Sequence, residues 1–76
     1  MNDSRRKRLD NASTLISQAM TLMAEVQDEE QESFDSLPEN MQEGEKGEAM
    51  EQAIAMLTDA ISSLEDAVGN IEEAQA

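Results

Sequence analysis

Leu9, Ala12, Ile16, Ala19, Met23 and Val26 follow one another at alternating steps of three and four residues. That spacing keeps one face of an α-helix apolar. Leu15, Met20 and Leu22 widen the stripe on both flanks, and it fades into carboxylates at Asp28, Glu29 and Glu30. Asn2, Asp3 or Ser4 is placed to cap the first turn. The pattern predicts a first helix over about residues 4–33. A second repeat is cleaner. Met50, Leu57, Leu64 and Ile71 recur every seven residues, with Ala53, Ala60, Ala67 and Ala74 three places after each. Ile54, Ile61 and Val68 stand one place beyond the first three of those alanines. This is a heptad with alanine at one seam position, where a neighbouring helix can approach closely. It predicts a second helix over about residues 46–74.

The periods break between these stretches, over a connection of about residues 34–45 that holds the chain's only proline. Pro38 disfavours the helical region for Leu37, so the first helix must stop before it. Ser36 with Glu39 three residues on forms a capping box for a short turn across Pro38 to Gln42. Gly44 and Gly47 permit a change of direction before the second helix. The connection is long for a helix–helix link, and Phe34, Leu37 and Met41 give it apolar anchors.

The expected fold is therefore all-α: one domain over 1–76, an antiparallel two-helix hairpin with a connection containing proline and glycine. Its core is expected from Leu9, Ile16 and Met23 on one helix. Met50, Ile54, Leu57, Ile61, Leu64, Val68 and Ile71 complete it on the other. Met20 and Met56 fit core positions or their margins and serve as gap-fillers. The second stripe is three positions wide, more than one partner helix covers. Burying a large apolar side chain stabilises by roughly 1.5–3 kcal/mol, against about 1–2 kcal/mol of backbone entropy per ordered residue. A 76-residue chain with one aromatic residue and no cysteine or histidine has neither bulk nor cross-links to spare. Self-association into a four-helix or larger bundle, most simply an antiparallel dimer, is the expected remedy.

Charge changes the picture most. The formal net charge is −13, with 18 carboxylates against five cations. Four of those cations are consecutive, Arg5, Arg6, Lys7 and Arg8, and Lys46 is the fifth. Such a chain repels nucleic acid and anionic membrane and attracts basic protein surfaces. An antiparallel hairpin would bring Arg5–Arg8 beside Glu65, Asp66, Glu72 and Glu73. The longest apolar run, Ala53 to Leu57, is too short to span a bilayer, and Met1 leads directly into charged residues. Those features, with the absence of cysteine, predict a soluble protein of the bacterial cytoplasm.

The motif Arg5-Arg6-Lys7, the run Glu29-Glu30-Gln31-Glu32-Ser33-Phe34-Asp35, then Pro38-Glu39 and Gln42 precede Glu45-Lys46-Gly47-Glu48-Ala49-Met50-Glu51 and the Leu/Ile/Ala repeat. In that order and spacing the whole chain resembles small acidic proteins encoded by tailed bacteriophages and prophages. The resemblance implies an accessory phage product. It brings no established common activity and transfers no catalytic or binding residue. A phage setting associates the chain with interference in a host system, which is not a mechanism.

Enzyme chemistry finds little footing. Without histidine there is no Ser–His pair, and without cysteine the common soft nucleophile is missing. Glu29, Glu30, Glu32 and Asp35 occupy a strongly polar stretch that reads as a solvated face rather than a carboxylate pair with divergent acidities. Asp28 to Asp35 lacks the ligand spacing and central glycine of an EF-hand, and no glycine loop follows a strand to cradle phosphate. No catalytic residue, metal site or cofactor is expected.

Three binding readings stay open. In the first, an acidic oligomer covers a basic surface on a host protein and inhibits or sequesters it. Glu25, Asp28, Glu29, Glu32 and Asp35 would act from the first helix, and Glu43, Glu45, Glu48 and Glu51 from the turn. The same charges also serve simply to keep a small oligomer soluble. In the second, Arg5, Arg6, Lys7, Arg8 and Lys46 sequester an anionic nucleotide-type signal, unless they only satisfy the acidic end of the second helix. In the third, the bundle is a structural or assembly protein. Phe34, Leu37 and Met41 then form a docking patch at the turn, unless they plug the bundle end.

Overall fold

The computed structural model describes all 76 residues, Met1–Ala76. They form α1 (Asp3–Asp35), α2 (Glu39–Gln42) and α3 (Glu45–Gln75), with no strand. Helix α1 packs along α3, and α2 packs against the start of α3. The result is a rod with Cα extents of 58 × 15 × 12 Å, one helix pair long and one helix thick.

The ends of each element follow from local chemistry. The Asn2 side chain accepts a hydrogen bond from the Arg5 backbone N–H at 2.9 Å, so Asn2 is the cap of α1. Helix α1 stops at Asp35, ahead of Pro38, as the proline requires. Ser36 does not act as expected. Its hydroxyl turns back and donates to the Glu32 carbonyl at 2.9 Å, closing α1, while Pro38 takes the capping position of α2 with no side-chain bond. A side chain already committed to the preceding helix is not free to cap the next one. The Met41 and Gln42 N–H groups both reach the Pro38 carbonyl, and the Gln42 side chain donates to the Phe34 carbonyl at 3.0 Å. The turn is thereby tied to the end of α1.

Neither glycine at the turn uses the left-handed region, and no residue in the chain has positive φ. Gly47 is needed for space. It is the one fully buried residue, and a Cβ there would collide with the Gln42 backbone carbonyl group. Close approach of α2 to the first turn of α3 therefore sets this residue, not conformational freedom.

Three long-range hydrogen bonds, made by two side chains, fix the register of the pair. Gln27 donates to the Ile54 carbonyl at 3.0 Å and to the Thr58 hydroxyl at 2.6 Å. At the open end, the Arg6 Nε donates to the Gln75 carbonyl at 3.3 Å. Gln27 and Ile54, like Arg6 and Gln75, have numbers summing to 81, so residue n of α1 lies level with residue 81 − n of α3. The half-buried seam of α1 is Leu9, Ser13, Ile16, Met20, Met23, Gln27, Glu30 and Phe34. Facing it are Met50, Ile54, Leu57, Ile61, Leu64, Val68, Ile71 and Gln75, also half-buried. The alternation of three and four in both rows is the signature of helices packed along a shared groove.

The α1 stripe needs one correction. Ala19 and Val26 are exposed, and Met20 and Gln27 take their places in the seam. Met56 is exposed as well, at the margin of α3. No apolar side chain is fully buried anywhere. The seam is continuous but thin.

Three outcomes follow for stability, each read from urea denaturation. Gly47→Ala should destabilise the chain by about 2 kcal/mol through the clash with Gln42. Gly69→Ala, in open space on the same helix, should stabilise by about 0.5–1 kcal/mol through helix propensity. If both variants gain stability, the tight turn is refuted. Gln27→Ala should cost about 1 kcal/mol for the lost interhelical bonds, and an unchanged midpoint would show that Gln27 does not hold the register.

Candidate functional site

A single-layer helix pair has two broad faces, and their composition follows from the seam. One residue back along a helix turns the side chain by about 100°. Because α1 and α3 run in opposite directions, the same backward step brings both rows to the same side of the layer. On α1 that row is Ala12, Leu15, Ala19, Leu22 and Val26; on α3 it is Ala49, Ala53, Met56, Ala60 and Ala67. Leu15 and Leu22 are 58% and 61% exposed, and Val26 and Met56 are exposed beside them. The middle of one face is therefore largely apolar, with Leu15, Leu22, Val26 and Met56 exposed among smaller alanines, and Arg8 and Glu29 stand on the same row toward its ends.

One residue forward leads to the other face, where Thr14, Ser17, Thr21, Asp28 and Gln31 meet Glu51, Thr58, Ser62, Glu65 and Glu72. A shallow open groove runs along it, lined by Ser13, Thr14, Ser17, Gln18, Thr21, Val68 and Glu72. The hydroxyls of Thr14, Thr21 and Thr58 donate to the carbonyls of Asp10, Ser17 and Ile54 on their own helices. Those bonds use the donors internally, as helical threonines commonly do.

Charge divides the rod lengthwise. Residues 25–51 hold 11 of the 18 carboxylates and only Lys46 as cation, a net −10. Residues 1–24 carry +2 and residues 52–76 carry −5. Folding brings 25–51 together at the turn end of a rod 58 Å long. Glu25, Asp28, Glu29, Glu32 and Asp35 are exposed on α1, and Glu43, Glu45, Glu48 and Glu51 are exposed around the turn and on α3. Glu39, which the sequence reading left out, is exposed on α2 between them. Glu30 sits half-buried in the seam. Nowhere do three or more carboxylates converge closely enough to hold a metal ion. The arrangement is a charged surface, spread over the end of a rod and all round it.

The basic cluster is split by the helix. Arg6 is tied to the Gln75 carbonyl and, at 3.5 Å, to the Asp3 carboxylate, the one ion pair of the molecule. Arg5 and Arg8 line a shallow depression with Met1 and Leu9, on the side of the apolar face. Lys7, two residues before Leu9, projects away from the seam. Glu65, Asp66, Glu72 and Glu73 make no ion pair with any of the four, contrary to the charge compensation expected of the antiparallel pair. The carbonyl at the α3 terminus meets Arg6 instead, because the helix end is closer to the seam than its outward carboxylates.

At the turn end, Lys46 lines an open groove with Glu29, Glu32, Ser33, Ser36, Leu37 and Met50. Phe34 and Leu37 are half-buried and Met41 is exposed. Phe34 is the last residue of the α1 seam, so it closes the layer at that end. No helix is long and apolar enough to cross a membrane. Compared with known proteins, the chain matches no protein-family model, no curated protein and no solved structure.

Proposed function

We propose that this protein is a non-catalytic, phage-type accessory protein that binds a basic surface of a host protein and inhibits or sequesters it. The carrying observation is the concentration of charge: a net −10 within residues 25–51, gathered at one end of a rod 58 Å long. Carboxylates in that density focus a field that steers basic partners and competes with phosphates for the same ground. Glu25, Asp28, Glu32 and Asp35 on α1 and Glu43, Glu45, Glu48 and Glu51 on the turn side are the proposed contacts. All of them are exposed and none is engaged in an ion pair of its own. The phage setting comes from the sequence resemblance alone, and the cytoplasm of the host cell is proposed with it.

Self-association belongs to the same reading. Leu15, Leu22, Val26 and Met56 lie exposed on a chain that buries no apolar side chain fully. Covering them in a bundle would stabilise the rod and leave the acidic end outside. The anion-sponge alternative has less to support it, since Arg6 is engaged with Gln75 and Asp3 and Lys7 points elsewhere.

The test is capture from bacterial lysate followed by titration of the recovered partner. The wild-type chain should retain a basic protein whose affinity falls at least about tenfold between roughly 50 and 200 mM salt. Replacing Glu25, Asp28, Glu32 and Asp35 by their amides should abolish capture while leaving the helical signal intact. Capture that survives both the amide variant and high salt would overturn the acidic-surface reading.

A further inference from the structure

From the geometry we infer that two copies dock face to face through the apolar layer, antiparallel, about a two-fold axis passing beside Ala19. The interface would pair α1 with the partner's α1 and α3 with the partner's α3. It deepens the self-association proposed above and shares Glu32 with the acidic surface, so chain mass by sedimentation, and not partner capture, reads it.

Size is the first argument. The whole broad face of the rod spans 58 × 15 Å between Cα positions, a footprint of about 870 Å², with the apolar rows in its middle and Arg8, Glu29, Ser33 and Lys46 toward its ends. A stable protein–protein interface needs about 800 Å² from each partner. The middle of that face, over residues 12–26 of α1 and 49–67 of α3, is largely apolar, and exposed apolar patches mark association sites. Ala53, Ala60 and Ala67 make the α3 side low, so two α3 helices can approach closely across it.

Charge selects the second copy and its direction. On the side of the apolar face, the open end carries Arg5 and Arg8 around Met1 and Leu9. The turn end carries Glu29 and Glu32, with Lys46 in the same groove. A two-fold beside Ala19 places residue n of α1 level with residue 38 − n of the partner's α1. Arg8 then comes level with the partner's Glu30, between the partner's Glu29 and the partner's Glu32, and Arg5 comes level with the partner's Ser33, one residue past the partner's Glu32. The apolar row maps onto itself in the same operation: Ala12 meets the level of the partner's Val26, and Leu15 and Leu22 interleave with the partner's Leu22 and Leu15. A parallel arrangement would instead set the two acidic turn ends, each net −10 over residues 25–51, side by side.

The chain has no cysteine, so single cysteines report the arrangement directly. Sedimentation equilibrium at micromolar concentration should give twice the 8.4 kDa chain mass. Ala19→Cys should form an intermolecular disulfide on mild oxidation, and Ser4→Cys should not, because the two open ends lie at opposite ends of the dimer. Leu15→Glu with Leu22→Glu should give the single-chain mass. Arg5→Glu with Arg8→Glu should weaken association at least about tenfold at low salt, and adding Glu29→Arg and Glu32→Arg should restore it. The restoration keeps the test decisive even where a separated chain unfolds. A single-chain mass for the unmodified protein, cross-linking through Ser4→Cys instead of Ala19→Cys, or no rescue by the double reversal would overturn the inference.

Discussion

The structure depends on one thin seam. Two helices of 33 and 31 residues share a single line of contact, and only Gly47 is fully buried. Each helix alone is long enough to hold its own backbone bonds, but neither has an interior against which to fix its orientation. The pair is therefore held by half-buried Leu, Ile and Met side chains and by two polar ties, at Gln27 and at Arg6. With so little apolar burial, a polar group in the seam has unusual weight. Gln27 satisfies both the Ile54 carbonyl and the Thr58 hydroxyl, so its amide adds direction to a contact that hydrophobic packing would let slide by a turn.

Much of this was legible in the sequence, because helical periodicity is a strong signal when carried over four heptads. The second repeat places Met50, Leu57, Leu64 and Ile71 on the seam where they are found. Pro38 marks the stop of α1, and the short turn across Pro38 to Gln42 contains α2. The α1 seam was harder, for a physical reason. Its apolar residues form two adjacent rows about 100° apart, and apolarity alone favours the row with Ala19 and Val26. The folded pair uses the other row, in which Ser13, Gln27 and Glu30 interrupt the apolar residues. Only a register with α3 reveals that Gln27 has partners there. Gly47 was equally opaque, since its need for space arises from Gln42 across a turn whose path no local pattern specifies.

The candidate site divides in the same way. Most of the acidic residues lie outside both apolar rows and are exposed, whereas Glu29 continues one row and the half-buried Glu30 the other. Their concentration at one end is a consequence of folding: antiparallel packing lays Glu25–Asp35 of α1 beside Glu45–Glu51 of α3 and sets Glu39 and Glu43 at the tip. The basic cluster shows the converse. Four consecutive cations on a helix point in three directions, and the structure gives Arg6, Lys7 and the Arg5–Arg8 pair separate surroundings. Charge adjacent in sequence is not charge gathered in space.

The two halves of the proposed reading constrain each other through electrostatics. Each added copy brings a further net −13 to the assembly, so association must overcome repulsion that grows with every subunit. An apolar face can supply the attraction, but only an arrangement that keeps the turn ends apart limits the repulsion. Antiparallel stacking puts those ends at the two extremes of a rod 58 Å long, several screening lengths from each other at physiological salt. It covers Glu29 and Glu32 with the partner's Arg5 and the partner's Arg8 and leaves the remaining sides of both acidic ends open. A particle of that kind presents two equivalent negative poles, so it would engage a basic partner at either end or bridge two partner molecules at once. The stoichiometry of a captured complex, one partner for each chain, is thus tied to the same geometry that makes the dimer electrostatically tolerable.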